Sequence, residues 1–339
     1  MPDTSLYVFL LIVALAIGFG VVNGFNDAAN AIAPAIGTRA LSPRTAIIIA
    51  AVANLLGAAT GTAVAHTIGK GILAPEAITY QTIIAALLSI IIWGWLATYL
   101  GLPISLHHGF IAGLAAAGVA VTGAEAVVWN VMQRIMAAVV IAPIIGFTGG
   151  FALMLGLYWL FQHSAPDKMR RRFSNAQYLT TAFMAYSHGK NDGQMPIGVI
   201  TMALVIFSND TSLWGRLSIF SGDTWWIIIV SALAISAGTA MGGWRVIKTM
   251  GMRVTTLRPI QGFTTQAAAA SVIEIASYFG IPVSTTHLIS ASTMGVGATR
   301  RLSAVRWGIA GNIVTAWILT FPICGLLGYF FAWLLHALF

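Results

Sequence analysis

Apolar runs of membrane-spanning length recur from one end of this chain to the other, for example Ala46–Ala65, Thr82–Leu100 and Trp225–Met241. Each approaches the roughly 20 residues a helix needs to cross the hydrocarbon. Composition agrees: only 8% of the 339 residues are charged and 58% are hydrophobic. A soluble domain carries about 25% charged residues to cover its surface. The class is therefore an all-α integral membrane protein, because a helix satisfies its own backbone inside lipid. The gaps between runs leave no room for a globular head, which excludes a receptor or enzyme built on one. Met1–Leu11 lacks a basic stretch and a small-residue cleavage site, so the first run is expected to be a retained span. The lone Cys324 permits no intramolecular disulfide. The net charge of +8 sits in short loops between runs, so it reports topology and implies no nucleic acid.

The chain repeats itself. Asn26-Asp27-Ala28 has a counterpart in Asn191-Asp192-Gly193, each inside a long apolar stretch. Tyr99–Ser105 matches Tyr278–Ser284 at an offset of 179, which also relates His108 to His287 and Pro143 to Pro322. Residues 1–162 thus form a first transmembrane repeat and 176–339 a second. Between them lies a basic linker, 163–175, expected to be cytoplasmic. If Pro103–Thr122 and Pro282–Thr299 are re-entrant loops, each half has four crossings and the copies run parallel, with cations divided almost evenly between the two sides. If each is a net crossing, each half has five and the copies are inverted. Only Lys70, Arg134 and Arg216 then remain outside, which obeys the positive-inside rule. The expected architecture is two inverted-topology repeats with broken helices and two helical hairpins, both termini outside. That is the usual build of secondary transporters.

Four segments are predicted to interrupt their helices at membrane depth. Asn23–Asp27 and Ser187–Gln194 place amides, carboxylates and glycines in apolar surroundings, tolerated only where protein or a water-filled cavity satisfies them. Gly101–Gly109 and Gly280–Thr286 read as a break followed by a new helix, the second starting near Ser284. Free N–H groups and the dipole at such a start make an anion site, with hydroxyls of Ser284, Thr285 and Thr286 as added donors. The plainer alternative is helix capping. Asp27 and Asp192 suit a hard cation or a proton, and Asn26 and Asn191 can serve either ion through oxygen or NH₂. The pattern implies co-transport of an anion with Na⁺, H⁺ or a metal. Gln81 and Gln266 are further lining candidates, while Glu274 has no counterpart in the first half. His108 and His287 are expected to fix hairpin geometry, since no second His or Cys stands at metal-ligand spacing. There is no Gly-rich nucleotide loop, so energy must come from an ion gradient. A channel needs no matched pair of buried carboxylates, and an intramembrane hydrolase needs a nucleophile–base pair that Asp with Asn does not supply.

Three motifs, Gly24–Ala31, Ser187–Asp192 and Pro282–His287, resemble the inorganic phosphate transporter (PiT) family, over nearly the whole chain from Asn23 to Pro322. The resemblance implies inverted repeats, alternating access and symport of inorganic phosphate with Na⁺ or H⁺, or of a metal–phosphate complex. It also implies a homodimer in the cell's inner (plasma) membrane, with no enzyme activity and no resident cofactor. Asp27 and Asp192 would sit with the coupling cation. Ser105, Ser284, Thr285 and Thr286 would sit with phosphate, joined by Asn26, Asn191 and Gln266. Two departures stand out. The first hairpin reads Ser105-Leu106-His107-His108, where the family usually has small hydroxyl residues after the serine, so one phosphate contact is expected to be either missing or replaced by His107. The large hydrophilic loop of longer members is missing, which implies a compact prokaryotic form. Sulfate or another tetrahedral oxyanion is the alternative substrate, although its carriers are expected to lose the Asn-Asp pairs that this chain keeps.

Overall fold

The computed structural model describes residues 2–338, with side chains from Ser5 onward. Among these residues there are helices and connecting turns and no strands, apart from one isolated bridge between Leu73 and Val127. Long helices open and close each half, all of them apolar except the one that opens the second. In the first half these are α1 (Pro2–Gly37) and α6 (Trp129–Phe161). Helix α1 has 36 residues and so reaches about 54 Å at 1.5 Å per residue, more than enough to span hydrocarbon. Between them lie the bent pair α2 (Pro43–Ala58) and α3 (Ala63–Gly71), then α4 (Tyr80–Leu100) and α5 (Leu106–Thr122).

The second half repeats that order. Helices α7 (Pro166–Asp192) and α8 (Gln194–Ser208) stand in the place of α1. A bent pair follows, α9 (Trp225–Met241) and α10 (Trp244–Lys248), the latter running into a π turn. Then come α11 (Pro259–Tyr278), α12 (Thr285–Ala298) and the closing α13 (Trp307–Leu338). Because α7 begins at Pro166, most of the basic segment between the halves is itself helical.

Two expectations need correction. Asn23–Asp27 does not interrupt its helix, for α1 runs through it without a break. Ser187–Gln194 barely does: Gly193 keeps right-handed helical dihedrals and donates to Gly189 O at 2.8 Å. The sharp breaks lie instead between α2 and α3, bent by 65°, and between α9 and α10, bent by 61°. Each half thus consists of a long helix or its α7–α8 equivalent, one bent pair, one hairpin and a closing helix.

Both hairpins are closed at their bases. Ala74 N donates to Ala126 O at 2.8 Å and Val128 N to Ile72 O at 3.0 Å, joining the start of α4 to the end of α5. Arg306 N to Val254 O at 3.0 Å does the same for α11 and α12. At the tips, Gly101 (φ 73°) and Gly280 (φ 67°) take the left-handed conformation that ends the first arm, and only glycine does so without strain.

The halves interlock. Helix α1 packs on α9 and α2 on α7, while α5 packs on α13 and α12 on α6. Such packing in lipid relies on small residues that let backbones approach. A Cβ on Gly24 would lie 2.0 Å from Ile235 O, and one on Gly238 would lie 2.0 Å from Val21 O. The α2–α7 contact is built in the same way, by Gly57 against Tyr186 O and Gly189 against Asn54 O. The buried polar residues collect where α1, α7 and the two hairpin tips meet.

Candidate functional site: two carboxylates between two hairpin tips

Asp27 and Asp192, both buried, converge on His188. His188 Nε2 lies 3.7 Å from Asp27 Oδ2 and 3.5 Å from Asp192 Oδ2, and the three ligand atoms fall within 4.8 Å of one another. Among the described residues no Lys or Arg pairs with either carboxylate. No ion pair with Lys or Arg therefore accounts for their burial.

A chain of hydrogen bonds fixes which way His188 points its lone pair. The Thr239 hydroxyl donates to Ile235 O at 2.9 Å, so its oxygen is free to accept from Asn54 Nδ2 at 2.8 Å. That turns Asn54 Oδ1 toward His188 Nδ1, 2.8 Å away. Nδ1 carries the hydrogen, so Nε2 is the ring atom that faces the two carboxylates, where it can take up or release a proton or ligate a cation. His188 Nε2 and Asp192 Oδ2 have no hydrogen-bond partner among the described residues. Three electron-pair donors facing one another demand a positive charge at their centre.

The asparagines resolve the same way. Asn26 Nδ2 donates to Thr98 Oγ1 at 2.7 Å, and Thr98 in turn donates to Gly94 O at 2.7 Å. Asn191 Nδ2 donates to Val283 O at 2.7 Å and to Asp192 Oδ1 at 3.1 Å. The amide nitrogens are thus committed, largely to the hairpin arms and tips, and Asn26 Oδ1 is left without a partner. Of the two groups Asn26 offers, only the oxygen remains free for a ligand.

Each hairpin reaches across to the other half's carboxylate. Thr286 Oγ1 donates to Asp27 Oδ1 at 3.1 Å and Thr285 Oγ1 to Asp27 Oδ2 at 3.4 Å, with Asn30 Nδ2 donating to both hydroxyls. From the first hairpin, His107 Nδ1 stands 3.5 Å from Asp192 Oδ2. Ser105 and Ser284 act as N-caps, accepting from His108 N at 3.3 Å and His287 N at 3.1 Å. Gln266 lies off the carboxylates and ties three helices together, through Ala31 O, Thr180 and Thr181. His108 and His287 meet with ring centroids 4.8 Å apart, and His287 stacks on Trp317 at 3.9 Å, so the two tips touch through imidazoles.

Sequence reasoning gave no role to His188, Asn30, Asn54 or Thr98. His188 and Asn30 stood inside motifs already quoted, and Asn54 is a lone amide in an apolar run. Glu274 finds its partner in Lys190. The same steps that take Asp27 to Asp192 and Ser105 to Ser284 map this ion pair onto Phe25 and Trp95, which stack at 6.0 Å. Beside that aromatic pair a cavity of about 320 Å³ is lined by Phe25, Thr98 and Gly242–Arg245, so the residue that holds Asn26 forms part of its wall.

The phosphate transporter family profile matches residues 23–328. The chain belongs to that family. Relatives of similar length include a "Probable low-affinity inorganic phosphate transporter" of Bacillus subtilis (strain 168), 38% identical over 99% of this chain and 100% of the relative. Another with the same description, from Rhizobium meliloti (strain 1021), is 40% identical over 96% of each. Among solved structures, "The sodium-dependent phosphate transporter" superposes with a TM-score of 0.88 at 25% identity, covering 98% of this chain and 100% of that one. The protein is a multi-pass helical membrane protein of a phosphate transporter family, which points away from an enzyme.

Proposed function

We propose that the protein is a secondary active transporter that moves inorganic phosphate together with a cation by alternating access, in the inner (plasma) membrane. The observation that carries this reading is the cluster of Asp27, Asp192 and His188, three groups able to hold a proton or a metal, with no Lys or Arg among them. Two buried carboxylates beside an arriving anion repel it, so phosphate binds well only after a cation has neutralised the cluster. That order of events is coupling. The hydroxyls of Thr285 and Thr286 already donate to an anion, the protein's own Asp27, and the helix starts at Ser105 and Ser284 add backbone donors.

Because each carboxylate is gripped by the opposite half's hairpin, filling the cation site changes the contact between the halves. With re-entrant hairpins each half makes three crossings, an odd number, so the copies are inverted as the charge distribution requires. An imidazole in the donor set favours a proton or a divalent metal travelling with phosphate over Na⁺, which prefers oxygen ligands. The homodimer implied by the resemblance belongs to the same reading. The test is tracer phosphate uptake into vesicles, with Na⁺ replaced, with a protonophore added and with divalent metal chelated. Uptake that falls with protonophore or chelation supports the reading. Uptake that is strictly Na⁺-dependent and indifferent to both removes the cation assignment.

A further inference from the structure

His107 in the first hairpin corresponds to Thr286 in the second, by the offset of 179 that relates Ser105 to Ser284. The two face matching partners: Thr286 Oγ1 donates to Asp27, and His107 Nδ1 stands 3.5 Å from Asp192 Oδ2. The chemistry at the two places differs. A hydroxyl rotates and can both donate and accept. An imidazole whose Nδ1 faces a carboxylate carries its hydrogen there, since two lone pairs at that distance repel. Its Nε2 is then an acceptor only. Nε2 is buried without a hydrogen-bond partner among the described residues, and His107 is 1% exposed. A buried acceptor of this kind, in a site made for a ligand, is matched by a donor on the ligand.

Building on the phosphate reading above, we infer that His107 decides which tetrahedral oxyanion the site accepts, by taking a hydrogen bond at Nε2 from a protonated oxygen of the substrate. Near neutral pH phosphate and arsenate carry at least one O–H, and sulfate carries none. Sulfate would leave Nε2 unpaired and press an oxygen lone pair against it. A site built to bond a ligand O–H rejects the analogue that lacks it far more strongly than a misfit of size does. The hydroxyls of Thr285 and Thr286 cannot make this distinction, because they turn to donate to either anion. The asymmetry between the hairpins is thus a selectivity device added to one of two otherwise matched subsites.

The test is uptake of labelled phosphate by the reconstituted full chain, competed by arsenate and by sulfate. In the unaltered protein arsenate competes and sulfate does not. His107→Thr installs the residue that the second hairpin already carries, and sulfate should then compete at a concentration at least about 10-fold lower, with arsenate little changed. His107→Asn keeps a donor toward Asp192 but loses Nε2, and the half-saturation for phosphate should rise by roughly 10- to 150-fold. Should His107→Asn fail to insert, His107→Thr keeps the test open, because this fold holds threonine at the matched place. Thr286→Val separates the two levels of the argument. If it raises the half-saturation while the His107 variants alter neither affinity nor sulfate exclusion, the role of His107 is overturned and the phosphate site stands. If none of them moves, the phosphate site itself is misplaced and this inference falls with it.

Discussion

Asn54 touches neither phosphate nor the carboxylates, yet substituting it should impair coupling. Its Oδ1 is the acceptor that keeps the hydrogen on His188 Nδ1 and the lone pair of Nε2 toward Asp27 and Asp192. Asn54→Leu nearly preserves volume and removes that acceptor. His188 Nδ1–H is then a buried donor without a partner, at a cost of about 1–3 kcal/mol. The ring also becomes free to present its N–H to the carboxylates, in place of the lone pair. Losing the group that orients a ligating histidine typically costs about 10- to 100-fold in affinity, or roughly 1.4–2.7 kcal/mol at 1.4 kcal/mol per tenfold. The assay is phosphate uptake in proteoliposomes against the concentration of the coupling cation. The cation half-saturation should rise by that factor, while uptake at saturating cation stays near normal. A lowered melting temperature with an unchanged cation dependence would refute the reasoning and return Asn54 to a packing role between α2 and α9.

Other perturbations follow from the same geometry. Thr285→Val and Thr286→Val each remove a hydroxyl that serves Asp27, so each should raise the phosphate half-saturation by roughly 10- to 150-fold with expression little changed. Gly238→Ala places a methyl 2.0 Å from Val21 O, so α1 and α9 must separate, and the melting temperature should drop as for an overpacking cost of about 1–3 kcal/mol. Glu274→Gln leaves Lys190 without its partner. The pair is 17% and 29% exposed, so the loss should fall between surface and buried pairs, about 1–3 kcal/mol by thermal unfolding in detergent. In the exposed turn between α8 and α9, bonds from Ser212 and the charge of Arg216 hold the Asp210 carboxyl below its usual range, and Ser221 with Arg216 does the same for Asp223. Groups depressed in this way lend order above the unfolded carboxylate range and lose it as pH falls through their own. The protection of amides across 210–224, measured as exchange relative to the intrinsic rate at each pH, should therefore be flat from about pH 5 to 8 and fall only in stronger acid.

How much of this was legible in the sequence depends on the kind of signal. The hairpins were readable because Pro103 and Pro282 cannot continue a helix and the residues after them cap a new one; α12 does begin at Thr285, capped by Ser284. The matched Asn-Asp pairs were readable because a carboxylate in an apolar run is costly. The misreadings came from residues with two uses. Gly24 among Asn23, Asn26 and Asp27 looks like a helix break, but it is spent on the close approach to α9, and the helix stays whole, with Asn26 Nδ2 tied to Thr98 of the first hairpin. The true bends at Ala59–Thr62 and Gly242–Gly243 sit beside small residues that resemble ordinary packing glycines. His188 stands four residues before Asp192, a spacing open to view in the sequence, but its other partners, Asp27 and Asn54, come from α1 and α2, more than 130 residues away, a separation that spacing along the chain does not reveal.

The central claim is that Asp27 and Asp192 tie cation entry to phosphate movement. It is tested most directly by uphill phosphate accumulation in proteoliposomes under an imposed cation gradient, comparing the unaltered chain with Asp27→Asn and Asp192→Asn. Asparagine keeps the shape and removes the charge that calls for a cation. The account predicts accumulation above equilibrium for the unaltered protein, and its loss in both variants despite normal insertion. Full gradient-driven accumulation in either variant would contradict it.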